Sequence, residues 1–219
     1  MELFTRNDFK IFELSDFRER MAAIRSRIQP KLASIGGGLS PLVSALVDAP
    51  LFVHVAKHMR RTVNPPNDTW AAFSGNPRGY KADVHFKVAV SRHCVRLLFE
   101  AGPEYYAKAD WARNWANNFS EFSPGLRSSK NLEWFANEHD EDSASLLHAL
   151  APADFKKLGR ELTRRKDGQL VIGRRIASQE FCALSSKQLE RMAEDTFKPI
   201  APLFALHKAR VGATTTEHS

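Results

Sequence analysis

Along this chain, apolar residues first recur at helical spacing. Phe17, Met21, Ile24, Ile28, Leu32 and Ile35 form one stripe, which predicts a helix with a single face on a core. Ser15-Asp16 supplies its start, because a short polar side chain can hold an orphan backbone N–H. Pro30 is expected to bend or divide the helix and Gly36-Gly37-Gly38 to stop it. Ser40-Pro41 is expected to restart a short helix through about Val47. From Leu51 the period changes to two, with Leu51, Val53 and Val55 alternating with Phe52, His54 and Ala56. Further strands are expected at 69–74, 84–90 and 94–100, the last two joined by Ser91-Arg92-His93.

Helical spacing returns in the second half. Trp111, Trp115 and Phe119 predict a helix over 105–119, with these rings in the core. Residues 132–136 and 169–176 read as strands, and Pro152 opens a helix through 165. A final helix over 185–208 is capped by Ser185, and Pro199 and Pro202 are expected to bend it or end it early. Closely spaced strands followed mainly by helices predict an α+β fold. The expectation is a mixed or antiparallel sheet of about 5–6 strands, packed with helices from both ends of the chain. One domain over 1–210 and a flexible tail over 211–219 are expected.

Composition narrows the classes. Of 219 residues, 43% are hydrophobic and 26% charged, which suits a globular chain able to build its own core. Cys94 and Cys182 are too few for a disulfide framework and read as buried thiols. The first residues lack the basic start and apolar run of a signal peptide, and no stretch reaches the ~20 apolar residues of a membrane span. A cytoplasmic protein without a membrane partner is therefore expected. Lys and Arg number 32 against 25 Asp and Glu, a surplus of +7 that favours acidic partners such as nucleic acid.

The surplus concentrates between His54 and Lys81. Lys57, Arg60, Arg61, Arg78 and Lys81 face only one carboxylate there, Asp68. Pro65-Pro66 stiffens this long polar connection, a pattern typical of binding loops. Guanidinium forks match two phosphate oxygens at once, and Trp70 and Tyr80 offer stacking faces. Trp70 can equally pack in the core, and the cations can form a solvated rim. Asn64 and Asn67 join the candidate ligand-binding set, although turn support is their default role. His54, His58 and Asp68 are the catalytic candidates, because histidine titrates near neutrality and a carboxylate can orient it.

The same segment resembles a known family. Phe52-Val-His-Val-Ala-Lys-His58, Arg60-Arg-Thr-Val-Asn-Pro-Pro66, Asp68-Thr-Trp70 and Arg78-Gly-Tyr-Lys81 are similar to the YktB-like family of uncharacterised bacterial proteins. So are Arg20-Met21, Ile28-Gln-Pro-Lys-Leu32 and the segment 199–206. The resemblance implies a compact α+β fold and assigns no activity, so it carries over no functional residue.

Other motifs exclude more than they suggest. His54 and His58 lack the intervening Glu and the third ligand of a zinc site, so no metal is expected. Gly36-Gly37-Gly38 lacks the Lys of a phosphate loop, and no cofactor is implied. The acidic run 138–142 is expected to be solvated. Three readings follow. The first is a binding module for a phosphate-bearing ligand, nucleotide or nucleic acid, through 54–81. The second is an enzyme acting on a phosphoester or similar anion through His54 or His58, with Asp68 orienting a His. The third is a protein-interaction scaffold.

Overall fold

A computed structural model describes residues 1–59 and 62–207. Arg60, Arg61 and the expected tail 211–219 lie outside the described residues. Among the described residues, seven strands form one antiparallel sheet: β1 (Phe52–Val55), β2 (Asp68–Ser74), β3 (His85–Ser91), β4 (Cys94–Ala101), β5 (Glu133–Phe135), β6 (Ser145–Leu146) and β7 (Leu170–Ala177). Their spatial order is β1-β2-β3-β4-β7-β5-β6. The architecture is the expected α+β, with one more strand. That strand, β6, spans two residues, too short for alternation to reveal.

Asp16 caps the helix Phe17–Ala23 by accepting from the Glu19 N–H at 2.8 Å. A π-type turn over Ile24–Ile28 then separates it from the helix Gln29–Leu46, which Pro30 enters at its first turn. The glycines do not stop this second helix. All three lie inside it, as does Pro41, and Ser40-Pro41 restarts nothing. Close packing explains Gly36: a side chain there would come within 2.6 Å of Val53 Cγ1 on β1. The missing methyl lets helix and sheet approach.

The aromatic helix is shorter than expected, Lys108–Asn117, and a second helix, Phe119–Ser128, follows it. Trp111 and Trp115 are buried as anticipated. Ser185 caps the helix Ser186–Phe197 through a reciprocal pair with Gln188. The chain breaks near Pro199 before a last helix, Ala201–Ala205.

Gln29–Leu46 packs on β1 and β2, and Ser186–Phe197 on β4 and β7. Both therefore cover one face of the sheet, where Ala71, Phe73, Phe86, Val88, Val95, Leu97 and Phe99 form the core. Phe86 meets Phe197 edge-on at 5.1 Å. No described helix is long and apolar enough to cross a membrane.

Candidate functional site

The opposite face of the same strands is polar. Antiparallel register places Asp68, Trp70 and Ala72 of β2 beside Ser91, Ala89 and Lys87 of β3. His85 and Ala89 in turn oppose Glu100 and Arg96 of β4. Opposed residues share a face, so four charged side chains and a histidine stand together on the middle of the sheet. All are buried: Lys87 and Arg96 are 0% exposed, Asp68 and Glu100 3%.

The link between β5 and β6 folds over this face and closes it. Glu138 Oε2 lies 2.6 Å from Lys87 Nζ, and Glu100 Oε2 lies 2.7 Å from it on the other side. Arg96 donates to the Glu138 carbonyl at 2.9 Å, to the Asp140 carbonyl, and to Asp68 Oδ2 at 2.8 Å. The acidic run is therefore not simply solvated as expected. Buried cations of the sheet need oxygens, and this segment supplies them.

His139, from the same segment, sets Nδ1 at 3.0 and 3.1 Å from the two oxygens of Asp68. That hydrogen bond raises the imidazole above its ordinary pKa of 6.5, outweighing burial. Burial alone would raise the Asp68 carboxyl, but His139, Arg96 and Lys87 hold it below 3.8. Burial likewise opposes charge on Lys87, yet Glu100 and Glu138 raise its pKa well above the ordinary lysine range. Glu100 is lowered, because Lys87 and His85 outweigh its burial.

Glu100, Glu138 and His139 of this network border a pocket of about 350 Å³. Its inner walls include Trp70, Tyr80, His85, Glu100, Glu138 and His139, while Lys57, Lys81 and Glu104 stand at its rim. Trp70 donates from Nε1 to the Tyr80 hydroxyl at 2.9 Å and carries Lys87 Nζ over its ring, 4.6 Å from the centroid. Burial raises the Tyr80 pKa, so this phenol stays protonated near neutrality.

Of the sequence candidates, Lys57, His58, Trp70, Tyr80 and Lys81 line the pocket, and Asp68 lies beneath His139. Trp70 is 8% exposed and also forms a pocket wall. Lys81 spends its charge on Glu104 at 3.0 Å. Arg78 is exposed on a turn, where its N–H donates to Asn76 Oδ1, and it does not line the pocket. Asn64 is exposed, and Asn67 accepts from Arg20 at 3.4 Å. Both belong to the loop and not to the pocket wall.

The two early histidines separate. A continuing strand would present His54 and His58 together, but β1 ends at Val55 and His58 adopts φ 51°. His54 bonds the Asn76 carbonyl at 2.9 Å, whereas His58 bonds Thr69 Oγ1 at 2.9 Å. Sequence reasoning missed His85, Lys87, Arg96, Glu100, Glu138 and His139. The available signal was paired alternation, His85 with Lys87 and Arg96 with Glu100, inside strands otherwise rich in apolar residues. Among the described residues, no three His, Cys, Asp or Glu side chains are grouped as metal ligands.

The sequence profile of a family described as "Domain of unknown function (DUF1054)" matches residues 4–204. A UPF0637 protein of Bacillus mycoides (strain KBAB4) is 34% identical over 206 residues, covering 94% of this chain and 98% of the relative. A UPF0637 protein of Bacillus cereus (strain G9842) is also 34% identical, with the same coverage. One from Bacillus anthracis is 33% identical over 206 residues, again with that coverage. These similarities agree with the resemblance to the YktB-like family.

Proposed function

The chain belongs to the DUF1054 family, and from its pocket we propose an enzyme acting on a small polar molecule, with His139 as its acid–base group. One observation carries this reading: the buried Asp68 carboxylate holds His139 by Nδ1 while the ring lines the pocket. An ionised carboxylate only accepts, so Nδ1 bears the proton and Nε2 remains to exchange one with a ligand. Asp68 thus fixes the tautomer and stabilises the imidazolium that proton uptake creates. The Asp68 contact raises the imidazole above its ordinary pKa and so favours its protonated, acid form. In this reading His139 takes the place given to His54 or His58 in the sequence, and Asp68 keeps the orienting role.

A clamp for a phosphate-bearing ligand or nucleic acid draws less support. Among the described residues around the pocket, Lys57, Lys81, Lys87 and Arg96 are opposed by Asp68, Glu100, Glu104 and Glu138. Such walls offer a polyanion no net attraction. The site is also a compact hollow of about 350 Å³, unlike the long basic surface that tracks a nucleic-acid backbone.

The test is consumption of compounds from a metabolite mixture by the full chain, followed by NMR. His139→Gln and Asp68→Asn should each lower the rate of any turnover found by about 10²–10⁴-fold. A wild-type protein that consumes nothing, or a His139→Gln protein as fast as wild type, would remove the proposal.

A further inference from the structure

We infer that the floor of this pocket recognises the ammonium group of a small amine. The inference rests on the pocket being the functional site proposed above, and it names the ligand class. Lys87 occupies one oxygen of each neighbouring carboxylate, Glu100 Oε2 and Glu138 Oε2. One ammonium between two carboxylates leaves a negative charge over at the floor. The second oxygens, Glu100 Oε1 and Glu138 Oε1, belong to side chains that line the hollow.

A separate observation points the same way. His85 is 1% exposed, lines the pocket, and its buried Nε2 has no hydrogen-bond partner. Glu100 Oε2 lies 3.5 Å from that nitrogen, outside ordinary hydrogen-bond range. Its other nitrogen, Nδ1, sits 3.1 Å from the Asp83 carbonyl, which can only accept. Nδ1 therefore holds a proton. An unpaired buried nitrogen beside Glu100 costs free energy.

Gly102 keeps the place open. A side chain at this pocket-lining residue would come within 2.6 Å of Glu100 Oε1. At the floor itself, the second oxygens of Glu100 and Glu138 are acceptors, and N–H or O–H donors of a ligand are what they can bind. The leftover charge selects a cation among donors. Trp70 and Tyr80 wall the site, and the face of an aromatic ring attracts a cation further. Glu138 Oε1 lies 3.7 Å from His139 Nε2, so an amine seated on Glu138 stands beside the acid–base nitrogen.

The experiment is an NMR titration of the full chain, with the Trp70 indole N–H as reporter. Butylamine, phenethylamine and putrescine are compared with their matched alcohols and with inorganic phosphate at constant ionic strength. At least one amine should saturate the signal and bind about tenfold tighter than its alcohol, or more. Glu138→Gln should weaken that amine by about tenfold. Gly102→Ala, which leaves every charge in place, should also weaken it. Alcohol or phosphate binding as tightly as the amine, or no amine binding, overturns the inference on the wild-type protein alone, whatever the variants' stability. Amine binding without turnover in the wild type removes only the enzyme reading. Turnover of a substrate with no amine preference removes only this one.

Discussion

Phe86 and Lys87 are neighbours on one strand, and each is 0% exposed. They enter two interiors built by opposite means. Phe86 joins a helix-covered face where rings and aliphatic chains leave water, at a gain of roughly 25 cal/mol per Å² of apolar area. Lys87 enters a face where every buried charge must find a counter-charge, and where attraction largely offsets lost hydration. An apolar replacement of the whole polar set could serve stability as well. The buried Asp68, Lys87, Arg96 and Glu100 beside a pocket are what the proposed function builds on.

The comparison is broken or sharpened most by removing one residue from each face. Phe86→Ala should cost about 3–5 kcal/mol through a cavity. Lys87→Met should cost a similar 3–5 kcal/mol, because Glu100 and Glu138 are left uncompensated. Urea unfolding distinguishes the causes: adding Glu100→Gln to Lys87→Met should recover part of the loss, while adding it to Phe86→Ala should not. If Lys87→Met costs less than about 1 kcal/mol, the two faces are not the contrasting interiors described.

A smaller effect lies in pH. His139 has its folded pKa raised above 6.5, so its contribution is complete below about pH 6.5 and is lost as pH rises through the folded value. Asp68 behaves oppositely: its folded pKa is depressed, so its contribution is present above 3.8 and lost as pH falls through the folded value. The His139 ring is 43% exposed, so solvent screening holds its share to under about 1 kcal/mol. Stability of wild type and His139→Gln, measured from pH 5 to about 9, should converge at the alkaline end. Parallel curves would show that the Asp68 contact does not shift the imidazole. Phe86→Ala should leave the slope unchanged.

The least effect belongs to the rim. Lys81 and Glu104 are both exposed, and Lys81→Ala should change stability by under about 0.5 kcal/mol. A larger loss in thermal unfolding would mean that the rim is structurally part of the buried network.

How far the sequence reached depends on how far apart the interacting residues lie. Six strands were legible, because Val88, Val90, Val95 and Leu97 alternate over short distances whatever surrounds them. Gly36 misled because punctuation and close packing call for the same residue, and only the neighbouring Val53 distinguishes them. Asp68 was legible as a residue able to orient a histidine, but the histidine it contacts is neither the nearby His54 nor His58. His139 is 71 positions away.

Local spacing, carried by side-chain period and backbone preference, determined the strands, the caps at Asp16 and Ser185, and the apolar helix-facing layer. Alternation says only that Lys87 and Glu100 leave that layer, and in an isolated strand the other side is water. Tertiary structure decided that it is an interior, because the 136–144 link crosses it and brings Glu138 and His139 onto charges that could not be buried unpaired. That choice depends on the total electrostatic balance of distant segments, which no local pattern contains.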